Sequence, residues 1–220
     1  MEVLSAEDFP CPSADPAAGA QAARLLANCR APLIVAGGGV IESEAGDELR
    51  RLAELLGAAI VPTTSGKGAV SDEHPQVVIN YFNSEPFRKL VEESDLTLAV
   101  GTRLSSGSTG VWRLPLPQPL VHIDLDETEF NKNYPAQLTL HGDAKAVLGQ
   151  LLEELRRMGV GQRTERLETI RHVKALIYQT AKERAPREIG ILESIRSAAG
   201  PEAVIVCDVV QPAYWARPYY

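Results

Sequence analysis

Pro32-Leu33-Ile34-Val35-Ala36 is an apolar run with no polar alternation, and it passes directly into Gly37-Gly38-Gly39. A strand with one wet face alternates apolar and polar residues. A run without alternation is buried on both faces, which is the signature of a parallel sheet covered by helices. The pattern recurs four times. Ala58–Pro62 is a second such run, Asp95–Val100 a third that ends at Gly101, and Leu120–Ile123 a fourth that ends at Asp124. Gln137–Leu140 is a short fifth, followed by His141-Gly142-Asp143.

Helical patterns fill the gaps between these runs. An Ala-rich helix is expected over about Ala17 to Asn28. From about Glu44 to Leu56, the residues Ala45, Leu49, Leu52, Ala53 and Leu56 share one face, and Gly57 stops the helix. Ser84 is placed to cap a helix that runs to Glu93. Asp143 is placed to cap another, with Val147, Leu148, Leu151, Leu152 and Leu155 inward. Strands alternating with helices predict an α/β fold, a three-layer, doubly wound parallel sheet.

After Met158 the pattern changes. Gly159-Val160-Gly161 is a break, and a charge-rich helix is expected over Arg163–Arg184, with Leu167, Ile170, Lys174, Ile177 and Ala181 along one face. A helix over about Glu188–Ala199 leads to Ala203-Val204-Ile205-Val206, read as another buried strand. A helix and one strand do not make a domain. The expected division is therefore a linker and lead-in helix over 1–30, a central nucleotide-binding-like domain over 31–158, a helical linker over 159–186, and the incomplete start of a second α/β domain over 187–220.

Composition excludes several classes. The 220 residues carry a net charge of −7, which argues against a general nucleic-acid binder. Hydrophobic residues at 45% and charged residues at 23% are ordinary for a globular chain. The three cysteines, Cys11, Cys29 and Cys207, are too scattered for a disulfide framework or a zinc site, and are read as reduced thiols of a cytoplasmic protein. No apolar run approaches the ~18 residues of a membrane span.

Open α/β sheets bind ligands at the carboxyl ends of their strands. Four such ends here carry suggestive chemistry. Gly37, Gly38 and Gly39 admit close approach of a ligand to backbone, and the helix expected from Glu44 would aim amide donors at it. Gly101, Thr102 and Arg103 supply a hydroxyl and a cation. Asp124 offers acceptors for ribose or adenine groups, and Gly142-Asp143 closes the set. Each element has a plain structural reading as well: a glycine turn serves a tight connection, Arg103 a surface ion pair, Asp143 a helix cap. The triplet runs on to Glu42, so it is not the G-x-G-x-x-G fingerprint, and Ser65-Gly66-Lys67-Gly68 is not a phosphate loop of the Walker type. The four histidines, His74, His122, His141 and His172, have no metal-ligand spacing, and His122 reads as a core or rim residue. No nucleophile has a neighbouring base, so no catalytic residue and no metal ligand is expected.

The order of these motifs resembles the central domain of thiamine-diphosphate-dependent enzymes, in the acetolactate-synthase-like branch. The resemblance rests on Ala31 to Gly39, Leu52 to Thr64, Gly66-Lys67-Gly68-Ala69, His74-Pro75, Ser94 to Leu104, Val121 to Asp126 and Gly142-Asp143. It covers about Ala22 to Leu155. Val204 to Ala216 is similar to the start of that family's diphosphate-binding domain, with Val210 and Pro212 where Gly and His are usual.

The resemblance implies a 2-oxo-acid decarboxylase or carboligase as the parent protein, with thiamine diphosphate and Mg2+ held by domains outside this chain. The chain alone is then expected to be an inactive central-domain fragment. Nucleotide-contact positions, carried over residue by residue, are Gly37, Gly38, Gly39, Thr64, Ser65, Gly101, Thr102, Arg103, Asp124, Leu125 and Asp143. The implied ligand is FAD or ADP in a structural role. Ser105-Ser106-Gly107 stands where FAD-holding relatives have two acids and a second Arg, and Asn80–Pro86 replaces their Gly-Met-His-Gly stretch. Both departures argue against tight FAD binding; if the crevice is filled, adenine nucleotides are the expected ligands. Expected partners are a 2-oxo acid for the parent and further copies of the chain as a homo-oligomer, with no nucleic acid and no membrane. The alternatives are a free-standing nucleotide-binding module and a purely structural α/β module.

Overall fold

The computed structural model describes residues 11–80, 82, 84–200, 203–208 and 210–219. Five parallel strands form one sheet: β1 (Pro32–Ala36), β2 (Ala59–Pro62), β3 (Leu96–Val100), β4 (Leu120–Asp124) and β5 (Leu138–His141). Their order is β2-β1-β3-β4-β5. The register pairs Ile34 with both Ile60 and Leu98, and Leu98 in turn with Val121. The helices are α1 (Pro16–Asn28), α2 (Gly38–Glu42), α3 (Gly46–Leu56), α4 (Glu85–Glu92), α5 (Ala144–Arg157), α6 (Leu167–Arg184), α7 (Pro186–Ala199) and α8 (Gln211–Tyr219).

The missing alternation in the strands has a direct cause: both faces of the sheet are dry. On one face Ile34, Ala36, Ile60, Leu98, Val100, Val121 and Ile123 pack with Leu26 of α1, Leu49 and Leu52 of α3, and Leu148 and Leu151 of α5. On the other, Leu33, Val35, Ala59, Val61, Ala99 and Leu120 meet Phe87 and Leu90 of α4 and Ile170, Val173 and Ile177 of α6. Successive side chains of a strand enter opposite cores, as the two-residue pleat requires. The doubly wound expectation is met.

Local signals explain the boundaries. Asp15 caps α1 through Ala18 N at 3.0 Å, and Asp143 caps α5 through Ala146 N at 3.0 Å. Gly57 ends α3 with φ 63°. The Asp95 carboxylate accepts from the amides of Arg30 and Ala31, at 2.7 and 2.8 Å, and pins the entry to β1 beside the entry to β3. Beyond α5, the Arg163 guanidinium donates to the Cys29 carbonyl at 2.6 Å and to the Ala27 carbonyl, capping the end of α1.

Several expectations need correction. The helix expected from Glu44 begins at Gly46, because the chain after the glycine triplet first coils into the short α2. The residues that line the crevice after β1 are therefore those of α2 and its end, Gly38, Gly39, Glu42 and Ser43, and none of α3. Ser84 holds the cap position of α4, but its buried hydroxyl makes no hydrogen bond among the described residues. The run from Ala203 to Val206 is not a strand: Val204 is 88% and Val206 91% exposed. A strand exists only by pairing with a neighbour, and no described strand lies beside this one. The helix expected over Arg163–Arg184 starts at Leu167, and Ile170, Val173 and Ile177 enter the second core. Its Lys174 amine caps the Asp72 and His74 carbonyls, at 2.5 and 3.0 Å. Residues 1–10 of the expected linker lie outside the described residues.

Candidate functional site

In strand order 2-1-3-4-5, the connections leave β1 and β3 on opposite sides of the sheet, which opens a crevice above their carboxyl ends. A cavity of about 530 Å3 occupies that place. Its walls come from four strand ends: Gly38, Gly39, Glu42 and Ser43 after β1; Thr63, Thr64 and Ser65 after β2; Gly101 to Arg103, with Ser105, Gly107 and Ser108, after β3; Asp124 and Leu125 after β4. Gly142, Asp143 and Ala144 at the start of α5 complete it.

The glycines are needed first for chain packing. The Gly37 amide donates to the Val100 carbonyl at 2.9 Å, and the Gly39 amide to the Gly101 carbonyl at 3.1 Å. A Cβ on Gly37 would overlap that Gly101 carbonyl, and one on Gly39 would lie 2.8 Å from the Gly101 Cα. Gly101 itself has φ 54°, a left-handed conformation that favours glycine. The β1 and β3 loops thus touch backbone to backbone, and among the described residues the Gly38 amide, unlike those of Gly37 and Gly39, meets no neighbouring carbonyl.

Ten of the eleven sequence-predicted residues line this one crevice; Gly37 lies buried beneath it. Their states differ. Arg103 is exposed and forms no ion pair among the described residues, contrary to its plain reading as an ion-pair partner. Asp143 is engaged as the α5 cap. Asp124 accepts from the Asp126 amide at 3.0 Å through one oxygen. Glu42, Ser43, Thr63, Ser105, Gly107 and Ser108 also line the crevice and were not singled out from sequence. The small polar run after Arg103 was the available signal for the last three.

Two histidines buttress the loops. His122 Nε2 donates to the Thr102 carbonyl at 2.8 Å, and His141 Nε2 to the Leu125 carbonyl at 3.0 Å. His122 is 1% exposed, and burial pushes its pKa down; the Thr102 carbonyl, Asp124 and Glu129 oppose that shift.

The cavity carries donors for anionic oxygens and acceptors for hydroxyl groups. Hydroxyls from Thr64, Ser65 and Ser105, the Gly38 amide and the Arg103 guanidinium suit anionic oxygens, and Asp124 suits hydroxyl donors; the Ser108 hydroxyl already donates to the Ser105 carbonyl at 3.0 Å. The volume is within the ~300–1,000 Å3 range of small-molecule sites. Among the described residues, no three His, Cys, Asp or Glu side chains converge on a metal position. No described helix is long and apolar enough to cross a membrane.

Comparison with known proteins agrees with this geometry. The model of the family "thiamine pyrophosphate enzyme, central domain" matches residues 20–151. The chain is 33% identical to an acetolactate synthase of Mycobacterium bovis over 208 residues, covering 90% of this chain and 34% of that protein. It is 37% identical to a probable acetolactate synthase large subunit of Methanocaldococcus jannaschii over 71% of this chain and 27% of that protein. It is 32% identical to a probable 2-ketoarginine decarboxylase of Pseudomonas aeruginosa over 88% of this chain and 34% of that protein. The chain thus spans about a third of the length of the curated relatives it matches. With the switch-point crevice, the glycine contacts and the family match in agreement, the chain belongs to the thiamine pyrophosphate enzymes, and its residues 20–151 are their central domain.

Proposed function

We propose that this chain is the central domain of an enzyme that decarboxylates or carboligates a 2-oxo acid with thiamine diphosphate and Mg2+, and that its crevice holds an adenine nucleotide in a structural role. The observation that carries the nucleotide reading is the convergence of ten residues from five separate segments on one cavity at the switch point. Relatives named acetolactate synthase and 2-ketoarginine decarboxylase support the substrate class. The match covering 90% of the chain extends past residue 151, which supports assigning residues 187–220 to a further unit of the same family. No step of the thiamine chemistry is assigned to a residue of this chain.

Arg103 pairs with the diphosphate, the Gly38 amide and the Ser105 hydroxyl donate to its oxygens, and Asp124 accepts from a ribose hydroxyl. A purely structural crevice is the second reading. It is favoured by the charge balance, since Glu42, Asp124 and Asp143 face a single guanidinium.

Titration calorimetry with ADP, FAD and NAD separates the two. The expected result is that ADP binds more tightly than FAD and that Arg103→Ala weakens ADP roughly tenfold, the scale of one hydrogen bond to a charged group. Absence of binding by all three selects the structural reading. Micromolar FAD binding that survives Arg103→Ala overturns the assigned ligand and the assigned contact together. With thiamine diphosphate, Mg2+ and pyruvate added, the pure chain is expected to show no turnover; turnover would overturn the absence of catalytic residues.

A further inference from the structure

His122 stands behind the crevice wall, on β4, and does not line the cavity. The carbonyl that it holds is that of Thr102, so the bond grips the peptide that joins Thr102 to Arg103. The next carbonyl, that of Arg103, accepts from Asn133 Nδ2 at 3.1 Å. Both peptides flanking the Arg103 Cα are thereby anchored. The turn needs anchoring, because Gly101 and Leu104 on either side have φ 54° and 45°, and Leu104 is not a residue that adopts that region freely. The Thr102 hydroxyl accepts from the Leu104 amide at 3.2 Å and tightens the same turn.

The tautomer follows from the partners. A carbonyl only accepts, so Nε2 carries the proton. Nδ1 is buried with no hydrogen-bond partner among the described residues, so it stays bare. The groups facing the ring are Asp124 of β4, whose Oδ2 is 3.9 Å from Nε2, the Phe130 ring edge-on at 5.2 Å, and Glu129, which pairs with Lys132.

We propose that His122 is a positioning residue: its Nε2–H, by gripping the Thr102–Arg103 peptide from inside the sheet, aims the Arg103 guanidinium into the crevice. This rests on the nucleotide reading of the crevice only for what Arg103 meets there. The grip itself is a property of the chain alone.

The test uses the full chain with ADP as probe, and the variants His122→Phe, which keeps a ring without the donor, and His122→Gln, which restores an N–H. His122→Phe should weaken ADP roughly tenfold and His122→Gln should recover most of that loss. In an Arg103→Ala background, His122→Phe should cost nothing further, since it acts through Arg103. Unchanged affinity in His122→Phe, or a full additional loss in the Arg103→Ala background, overturns the proposal. If the parent chain binds no ADP, the nucleotide reading falls and 15N NMR of the free protein decides the grip. The expected spectrum has a protonated Nε2 and a bare Nδ1 on His122, with an Arg103 amide signal that moves in His122→Phe and returns in His122→Gln. A protonated Nδ1, or an Arg103 signal indifferent to these variants, overturns it.

Discussion

Gly37 and Gly101 are in backbone contact across the top of β1 and β3, with no room for a side chain on Gly37. Gly101 accepts from Gly39, and Val100 from Gly37, so two loops that later form opposite walls of the crevice are zipped at their base. The glycine-rich turn is therefore required by the fold whether or not a ligand sits above it.

This separates two glycines by stability. Gly37→Ala forces the Gly101 carbonyl to shift and should cost about 1–3 kcal/mol or more, the scale of overpacking. At Gly107, which also lines the crevice, a Cβ meets nothing within 4 Å. Gly107→Ala should stay within about 0.5 kcal/mol of the parent. Urea denaturation of both variants checks the contrast; equal effects would contradict it.

Acid should weaken the fold through His122. Burial holds its imidazole below the ordinary value of 6.5. The unfolded chain then binds a proton that the folded chain refuses. The contribution is complete above the unfolded value and is lost as pH falls below it, at up to about 1.4 kcal/mol per pH unit for one proton. Denaturation between about pH 7.5 and about pH 5 should show this loss, and His122→Gln should flatten it. The same slope in the variant would place the acid-sensitive group elsewhere.

Within residues 159–186, expected to be a helical linker, α6 buries Ile170 and Ile177 completely against the sheet's second face. Ile177→Ala should therefore destabilise the central domain by about 2–5 kcal/mol. An unchanged melting temperature would show that α6 is only a tether.

The last segment should behave differently. Ile189, Leu192 and Ala216 form a small separate cluster with Ala181. Deleting residues 186–220 should leave the melting temperature of the central domain nearly unchanged. Because Val204, Val206 and Tyr214 are exposed, the same deletion should also shift sedimentation toward monomer. Unfolding on deletion would make this segment integral to the fold.

Removing the α5 cap is a local test. Asp143→Ala frees the Ala146 amide and should cost about 1 kcal/mol. If the crevice binds ADP, little change in affinity is expected, because that carboxylate is already occupied. A tenfold loss of affinity with no loss of stability would reverse the assignment.

The sequence alone determined the layers. Runs such as Pro32–Ala36 and Asp95–Val100 leave no wet face, and helical spacing in Glu44–Leu56 and after Asp143 supplies what covers them. Period and burial are local properties, so they are legible residue by residue. The crevice was legible too, because strand ends followed by glycine or acid must gather at one edge of a parallel sheet. Tertiary structure decided what depends on neighbours distant in sequence. Ala203–Val206 has strand composition, yet a strand needs a partner to take its hydrogen bonds, and no described strand pairs with it. His122 reads from sequence as a core or rim histidine, and only the fold sets the Thr102 carbonyl, twenty residues away, against its Nε2. The glycine triplet suggested room for a ligand, but only the crossing of β1 and β3 loops shows that Gly37 and Gly39 are small for the sake of Gly101. Contacts between separate chain segments are set by the packing of the whole sheet, and no local pattern encodes them.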